Sequence, residues 1–514
     1  MEILTAILCT VVLFSFYYYL KWNYSYWNRI GLDCLEPHYI FGNTISLCKG
    51  VSTSETFVKL YKEMKSKGYK HAGCYFFLKP FYMPVDLQFV KNVIQTDYEY
   101  FLNHGIYHDE ESEPITAHLF SLENEKWRTL RKKLSPTFTS GKIKMMYPTL
   151  FASSSGLKEL LEQHAESADA VNIKKVLLRF SIDVIVSVAF GLNCNSLKEK
   201  DSKFVEIAVK MFDSVPLWER CKEAAIFLFP KKLLKAISFK FMHKDVEDFF
   251  FNLVGDTIKY REENNVYRKD FMHLLLQLKN RGRVADDAFI TRQETDKGED
   301  FITFNELVAQ CFVFFVAGFE TSATTLSFAL LQLALNKDVQ DKLRDEILTI
   351  KEKYDGDLCY DAILEMTYLE KVVYETLRKH PPAPLLPRVC NKDYKVPNTE
   401  VIIREGTRVV IPVIAIQNDP DIYPDPEKFD PERFSEENKA NRPSVAYLPF
   451  GEGPRYCIGS RFGLLEVKVA LAVILSNFNI ELDSKTKIPI QYAYTNGFVL
   501  EVDGGIWLKI SKLI

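Results

Sequence analysis

Hydrophobic residues are spread unevenly along this chain, and their spacing predicts most of its elements. Ile3–Leu20 holds no charged side chain and is rich in Leu, Val, Ile, Phe and Tyr. As a helix this span rises about 27 Å, close to the thickness of a bilayer core. A cleaved signal peptide is the competing reading. The residues before the span include Glu2 and no Lys or Arg, and no A-x-A site follows, so an uncleaved membrane anchor is expected. Tyr17, Tyr18, Tyr19, Trp22 and Trp27 suit an aromatic belt. Lys21 and Arg29 then place the body of the protein on the cytosolic side.

Between residues 70 and 90, short apolar runs cut by Pro80 and Pro84 predict a strand pair and a small sheet. Glu125–Leu134 reads as a helix stopped near Pro136. From Leu157 to Lys279 the period is largely helical. Within it, Ser181–Gly191 predicts a buried helix ended by its glycine, and Arg268–Gly282 an amphipathic helix ended the same way. Residues 283–300 are crowded with charge and predict an exposed loop. Thr303 and Glu306 form a capping box that opens an apolar run to about Leu335. That run would span roughly 48 Å as a helix. Asn305, Glu306, Gln310 and Glu320 interrupt it, which marks the central helix of a globular core rather than a second membrane span. Val401–Pro412 predicts strands with a turn at Glu405–Gly406. Helical period resumes after Gly459, and Phe498–Val502 and Ile506–Ile510 predict short strands around Gly504–Gly505.

Composition narrows the picture. The chain has 514 residues, 47% of them apolar, and a formal charge of −3. That near-neutral balance argues against nucleic acid as a partner. No linker, repeat or low-complexity run divides the chain. We expect an anchor over residues 1–20, a connector over 21–41 with one proline, Pro37, and one large catalytic domain over 42–514. The 10 cysteines lack framework spacing, which fits a reduced, cytosol-facing protein.

The densest chemistry lies in Phe450–Gly459, FGEGPRYCIG. Cys457 sits at the mouth of a helix, in a loop shaped by Gly453 and Gly459, with Arg455 beside it. Backbone N–H groups at a helix start favour a thiolate. Glycines let backbone approach a flat, bulky group. A thiolate placed this way can serve as an axial ligand of haem iron; a small buried hydrophobe is the alternative. A second unusual stretch is AGFETS, Ala317–Ser322, inside the long apolar helix. Gly318 costs roughly 1 kcal/mol there relative to Ala. A buried Glu320 must be paired or neutral. Thr321 can turn its hydroxyl to the carbonyl of Ala317. A functional groove and a surface-facing polar strip both remain open on these grounds. Trp127 and Arg131 share a helical face, as do Glu375 and Arg378, and neither pair is informative alone.

Taken together these motifs carry a resemblance. Phe450, Gly453, Arg455, Cys457 and Gly459 meet the pattern F-x-x-G-x-R-x-C-x-G, which resembles the haem-binding signature of the cytochrome P450 monooxygenases. The order anchor, W-x-x-x-R, A-G-x-E-T-S, E-x-x-R, PERF and cysteine loop covers essentially the whole chain. Flanking text such as EMTYLEK (Glu365–Lys371) is similar to insect microsomal, xenobiotic-metabolising members. The resemblance implies a mainly α fold, a large helical domain with a smaller β-rich subdomain and an N-terminal transmembrane helix. It implies haem b (iron protoporphyrin IX) with Cys457 as the metal ligand. Trp127, Arg131, Arg388, Phe450, Arg455 and Gly459 would complete the cofactor site, and Thr321 with Glu320 would deliver protons during oxygen activation. Glu375, Arg378 and Arg433 would form a structural scaffold. Phe120, Val313, Ala317 and Leu386 are candidates for an apolar substrate pocket.

The implied activity is insertion of one oxygen atom from O2 into small lipophilic substrates, such as plant toxins or insecticides. Electrons would come from NADPH through NADPH-cytochrome P450 reductase, with cytochrome b5 as a second donor, at the cytosolic face of the endoplasmic reticulum membrane. Lys126, Arg128, Lys132 and Lys133 offer a basic face for an acidic reductase. An endogenous lipid or hormone hydroxylase is one alternative. A haem-thiolate isomerase or dehydratase that needs no O2 is another, and the intact Glu320–Thr321 pair speaks against it. Three departures stand out: His104 where an Arg is usual, Asn124 where a Gly is usual, and Gln417–Asn418 in place of a histidine-containing pair.

Overall fold

The computed structural model describes residues 1–167, 169–199, 201–212, 222, 225–226, 229–284, 301–494 and 499–513. The helices that position the site are α1 (Glu2–Tyr24), α2 (Asn124–Leu134), α3 (Ser140–Ser167), α4 (Ile173–Ile185), α5 (Phe304–Leu335), α6 (Thr367–Lys379) and α7 (Ser460–Leu475). The strands are β1 (His71–Phe76), β2 (Lys79–Pro84), β3 (Val171–Asn172), β4 (Leu386–Val389), β5 (Tyr394–Lys395), β6 (Ile402–Ile403), β7 (Arg408–Ile411), β8 (Phe478–Leu482) and β9 (Trp507–Lys512). The main sheet runs β1-β2-β7-β4, with β1 and β2 antiparallel and β2 parallel to β7. A second sheet, β3-β9-β8, closes the other end.

Two apolar cores follow from this layout. The larger gathers around α5, and the smaller packs the main sheet. The fold is therefore mainly α, with a small β-rich part, as the sequence predicts. The capping box forms in full: Thr303 Oγ1 accepts the Glu306 N–H at 3.1 Å, and Glu306 Oε2 accepts the Thr303 N–H at 2.7 Å. Helix α5 is largely buried, whereas α1 is exposed along almost all its length. Helix α4 passes into a π turn, Val186–Phe190, and ends at Gly191 with φ +68°. Gly282 ends the 271–281 helix at φ +69°.

Three expectations change. Trp27 is not at a membrane interface. It is fully buried, donates its indole N–H to the Cys74 carbonyl at 3.0 Å, and lies against Gly73, where a Cβ would clash with its ring. With Leu20, Tyr24, Leu32 and Leu35 it joins the smaller core, so the connector is packed onto the sheet. Residues Val499–Val502 form no strand; Val502 makes only an isolated bridge to Tyr492. The final strand is β9, which begins one residue and ends two residues later than the predicted Ile506–Ile510. The charged 283–300 segment lies outside the described residues beyond Arg283 and Val284.

One buried acid marks where three core helices meet. Glu466 of α7 is fully buried, and Ser322 of α5 donates to its Oε2 at 2.9 Å. Ser181 of α4 lies beside the same carboxyl, and both Ser181 Oγ and Glu466 Oε1 lack partners. A protonated Oε1 donating to Ser181 would satisfy both. Burial pushes this carboxyl up to about 8. The unfolded chain has lost the proton from about pH 4.5 upward, while the native state keeps it to about pH 8. Stability therefore falls as pH rises through that window and levels off above it. Glu466→Gln should remove this slope. Thermal unfolding of parent and variant from pH 5 to 9 checks it, and parallel profiles would contradict a neutral native carboxyl.

Candidate haem-thiolate site

The loop before α7 is held open by its glycines. Gly451 and Gly453 have φ of +70° and +73°, and a Cβ at Gly453 would strike the Ile94 carbonyl. Gly459 is different: a Cβ there would meet nothing within 4 Å, so space lies beside it. The Cys457 N–H donates to the Phe450 carbonyl at 3.0 Å, which folds the loop back on itself. The thiol is surface-accessible, yet burial raises its pKa. Both statements hold if the sulfur opens onto interior space rather than bulk water. The Gly459 and Ser460 N–H groups and Arg131 pull the other way. Helix-start donors are present as predicted, but burial outweighs them; a positive metal centre is the partner that would tip a sulfur in this setting to thiolate.

Most of α5 is buried, but its middle is partly open, at Phe314, Val316 and Gly318 as well as at Val313, Ala317 and Thr321. Val313 and Thr321 are partly exposed and Ala317 is exposed, at i, i+4 spacing. Thr321 Oγ1 donates to the Ala317 carbonyl at 2.7 Å. Its oxygen keeps lone pairs for a further donor. The other two oddities of AGFETS have structural causes. A Cβ at Gly318 would lie 2.7 Å from Ile185 Cδ1, so the glycine allows α4 to pack closely. Glu320 is buried and paired at 2.6 Å with Lys174, at the start of α4. The pair turns Glu320 towards α4, which sequence spacing did not reveal.

Positive charge is concentrated beside the cysteine loop. Arg388, on β4, is 3% exposed and donates to the carbonyl of Pro387. Burial pushes it down to about 10. Arg455 donates to the carbonyls of Leu102, Leu119 and Leu122, stacks on the Trp127 ring at 4.0 Å, and is pushed down to about 9 by burial. Arg131 donates to the Tyr456 carbonyl at 2.9 Å. A guanidinium does not shed its proton in proteins, so these shifts measure how poorly the cations are compensated. Among the described residues all three donate to carbonyl oxygens. An anionic group such as the two carboxylates of haem b would supply the missing counter-charge. The sulfur, the space beside Gly459, the open α5 face and these cations fit haem. Phe450 and Leu386 are partly exposed around the same loop and strand.

The departures are accommodated locally. His104 donates from Nδ1 to the Phe120 carbonyl at 2.8 Å. Burial, then Arg388 and Arg455, hold it well below its usual range, so it adds no charge to the cluster. Asn124 adopts φ +50°, a region asparagine tolerates, and exchanges hydrogen bonds with Asn103 at 2.9 and 3.0 Å. Gln417 donates to the carbonyls of Leu377 and Arg378 and accepts the Leu448 N–H at 2.6 Å. It thus ties α6 to the approach of the cysteine loop.

Glu375 and Arg378 are fully buried and meet through two bonds of 2.7 and 3.0 Å, with Arg433 at 3.5 Å. Arg378 also reaches the carbonyls of Gln417 and Pro426. Of the basic residues on α2, Lys126 pairs with Glu110, Arg128 with Glu125, and Lys133 donates to the Phe301 carbonyl. Lys132 is exposed. The sequence missed Lys174, Gln310 and His118; only Gln310 left a signal, as a polar residue within an apolar helix.

A glycine-shaped cysteine loop, a partly open stretch of α5 and a cluster of poorly solvated cations fit a haem-thiolate class of site. Comparison with known proteins agrees. The cytochrome P450 family model matches residues 33–508. The chain is 42% identical over 495 residues to Cytochrome P450 6a2 of Drosophila melanogaster, covering 96% of each. It is 40% identical over 517 residues to Probable cytochrome P450 6a20 of the same fly, covering 100% of each. It is 40% identical to Cytochrome P450 6A1 of Musca domestica, covering 92% of this chain and 91% of that one. The chain belongs to the cytochrome P450 family, and with it to the haem-dependent monooxygenases.

Arg378→Leu should strand Glu375 in the core and lower stability by about 3–5 kcal/mol in urea unfolding. A loss under about 1 kcal/mol would show that the cluster is not a scaffold.

Proposed function

We propose that this chain is an NADPH-driven monooxygenase of small lipophilic xenobiotics, held in the endoplasmic reticulum membrane by α1 with its catalytic domain in the cytosol. The observation that supports it is the Val313–Ala317–Thr321 stretch, which opens the middle of a largely buried helix to a site for chemistry. When bound, haem supplies the iron at which dioxygen is activated and one oxygen atom is passed to substrate. Cys457 would ligate that group. Arg131, Arg388, Arg455 and Trp127 would receive its carboxylates, and Phe450 and Gly459 would leave room for it.

The substrate lies over Ala317, among Val313, Phe120 and Leu386, where apolar contact and exclusion of water favour a lipophilic molecule. Thr321 accepts a hydrogen bond from water at the groove and passes protons inward by exchanging its bond to the Ala317 carbonyl. Glu320 and Lys174 extend that path towards the surface, since Lys174 is partly exposed. NADPH-cytochrome P450 reductase, with cytochrome b5 as a second donor, docks on the α2 side. Lys132 is the cation there best placed to meet an acidic partner, because Lys126, Arg128 and Lys133 are engaged within the chain. The intact Glu320–Thr321 pair favours this reading over an isomerase or dehydratase.

A positioned proton donor typically contributes about 10²–10⁴-fold. Thr321→Ala should keep the fold and substrate affinity but divert reducing equivalents to peroxide or water. Product per NADPH consumed, with peroxide assayed in parallel, reads this out. A variant that couples as well as the parent would leave Thr321 as a helix-bending residue only.

A further inference from the structure

The segment Ala117–Leu122, which enters α2, is clamped by its own backbone. Arg455 donates to the carbonyls of Leu119 at 3.1 Å and Leu122 at 2.7 Å. His104 holds the carbonyl of Phe120. The Leu119 N–H donates at 2.9 Å to Oε1 of Gln310, about two turns before Ala317 on α5. A segment fixed this way can present side chains with little loss of freedom on binding. Two of them stand out. Phe120 is 44% exposed, and His118 is partly exposed with its ring 5.9 Å from that of Phe312.

A hydrogen-bond inventory settles what His118 offers. Ser121 Oγ donates its one proton to the Thr116 carbonyl, with the His118 carbonyl 3.1 Å away as the other acceptor. One Oγ lone pair takes the His118 backbone N–H at 3.2 Å. The other faces His118 Nδ1 at 3.3 Å. Ser121 has no proton left to give, so Nδ1 carries the ring proton and Nε2 carries the lone pair. Among the described residues no donor meets Nε2. Burial, with His108 adding to it, pushes the imidazole down to about 3, so the ring is neutral. A ring that is partly exposed yet strongly desolvated opens to interior space, as the Cys457 sulfur does.

Resting on the monooxygenase reading above, we infer that His118 Nε2 is a hydrogen-bond acceptor for substrate, and that the site selects lipophilic molecules carrying an O–H or N–H donor. Its ring lies against the apolar ring of Phe312 on α5, with His108 near enough to act on it. A ligand without a donor leaves Nε2 desolvated and unpartnered. A phenol, alcohol or secondary amide satisfies it. One such bond in a buried site is worth about tenfold in affinity. It would also orient the substrate, since the donor end is held beside Phe312, about one and a half turns before Ala317 on α5.

The test uses the haem-loaded full chain and two probes that differ only in the donor, para-hexylphenol and its methyl ether. Equilibrium dialysis, with each affinity referred to its octanol partition, should show the phenol bound about tenfold more tightly. His118→Leu should bring the two together. His118→Gln, whose side-chain carbonyl is an acceptor, should restore part of the preference. His118→Phe keeps a ring and serves if the leucine variant does not hold haem. Equal binding of the probes by the parent, or an unchanged ratio in both apolar variants, overturns the inference. The carbon monoxide spectrum is read on every preparation. A parent without the thiolate band removes the monooxygenase reading itself, whereas a normal band with an unchanged ratio removes only the role of His118.

Discussion

Poorly solvated positive charge, with no carboxylate in ion-pair contact among the described residues, is the constraint on which the rest of the site depends. Arg388 is buried and Arg455 half-buried, and both donate to carbonyl oxygens. Desolvated ions are costly, and guanidinium cannot escape by losing its proton. An anion bound beside them would compensate both. The same cations organise the protein part of the site. Arg455 fixes the Ala117–Leu122 segment and covers Trp127, and Arg131 holds the carbonyl next to Cys457. Binding of an anionic cofactor and ordering of the substrate-facing segment are thereby coupled through one side chain.

The second requirement is that the cysteine loop and the groove on α5 keep their distance. Two buried polar junctions serve this. Glu375, Arg378 and Arg433 lock α6 to the segment after Asp425, and Gln417 carries the lock to Leu448, just before the loop. Glu466 then joins α7, which begins at the loop, to Ser322 of α5. One junction works by paired charge and the other by a carboxyl held neutral. Removal of one partner from such a pair is severe because the other stays buried.

Local signals were legible in the sequence. The capping box at Thr303, the left-handed glycines at 191, 282 and 406, and the glycine-shaped cysteine loop each fix their own backbone within a few residues. What escaped was distant in sequence. Lys174 and Glu320 are 146 residues apart, and no periodicity announces that they pair. Trp27 was misplaced because an indole suits a membrane interface and a core equally; only the Cys74 carbonyl and the missing Cβ of Gly73 decide it. The apolar run near Val502 looked like a strand, but among the described residues it pairs only through the Tyr492 bridge, and its Leu500 N–H goes instead to the Pro382 carbonyl at 2.9 Å. Pattern alone marks Cys457, Thr321 and Arg455 as candidates, whereas the tautomer of His118 depends on a hydroxyl three residues away and on a folded loop.

The most direct measurement is the absorbance of the reduced, haem-loaded chain with carbon monoxide bound. A Cys457 thiolate beneath the iron predicts a strongly red-shifted Soret band in the parent and its loss in Cys457→Ala and Cys457→His. A parent without the shifted band, or a variant that keeps it, would contradict ligation by Cys457 and the reading built on it.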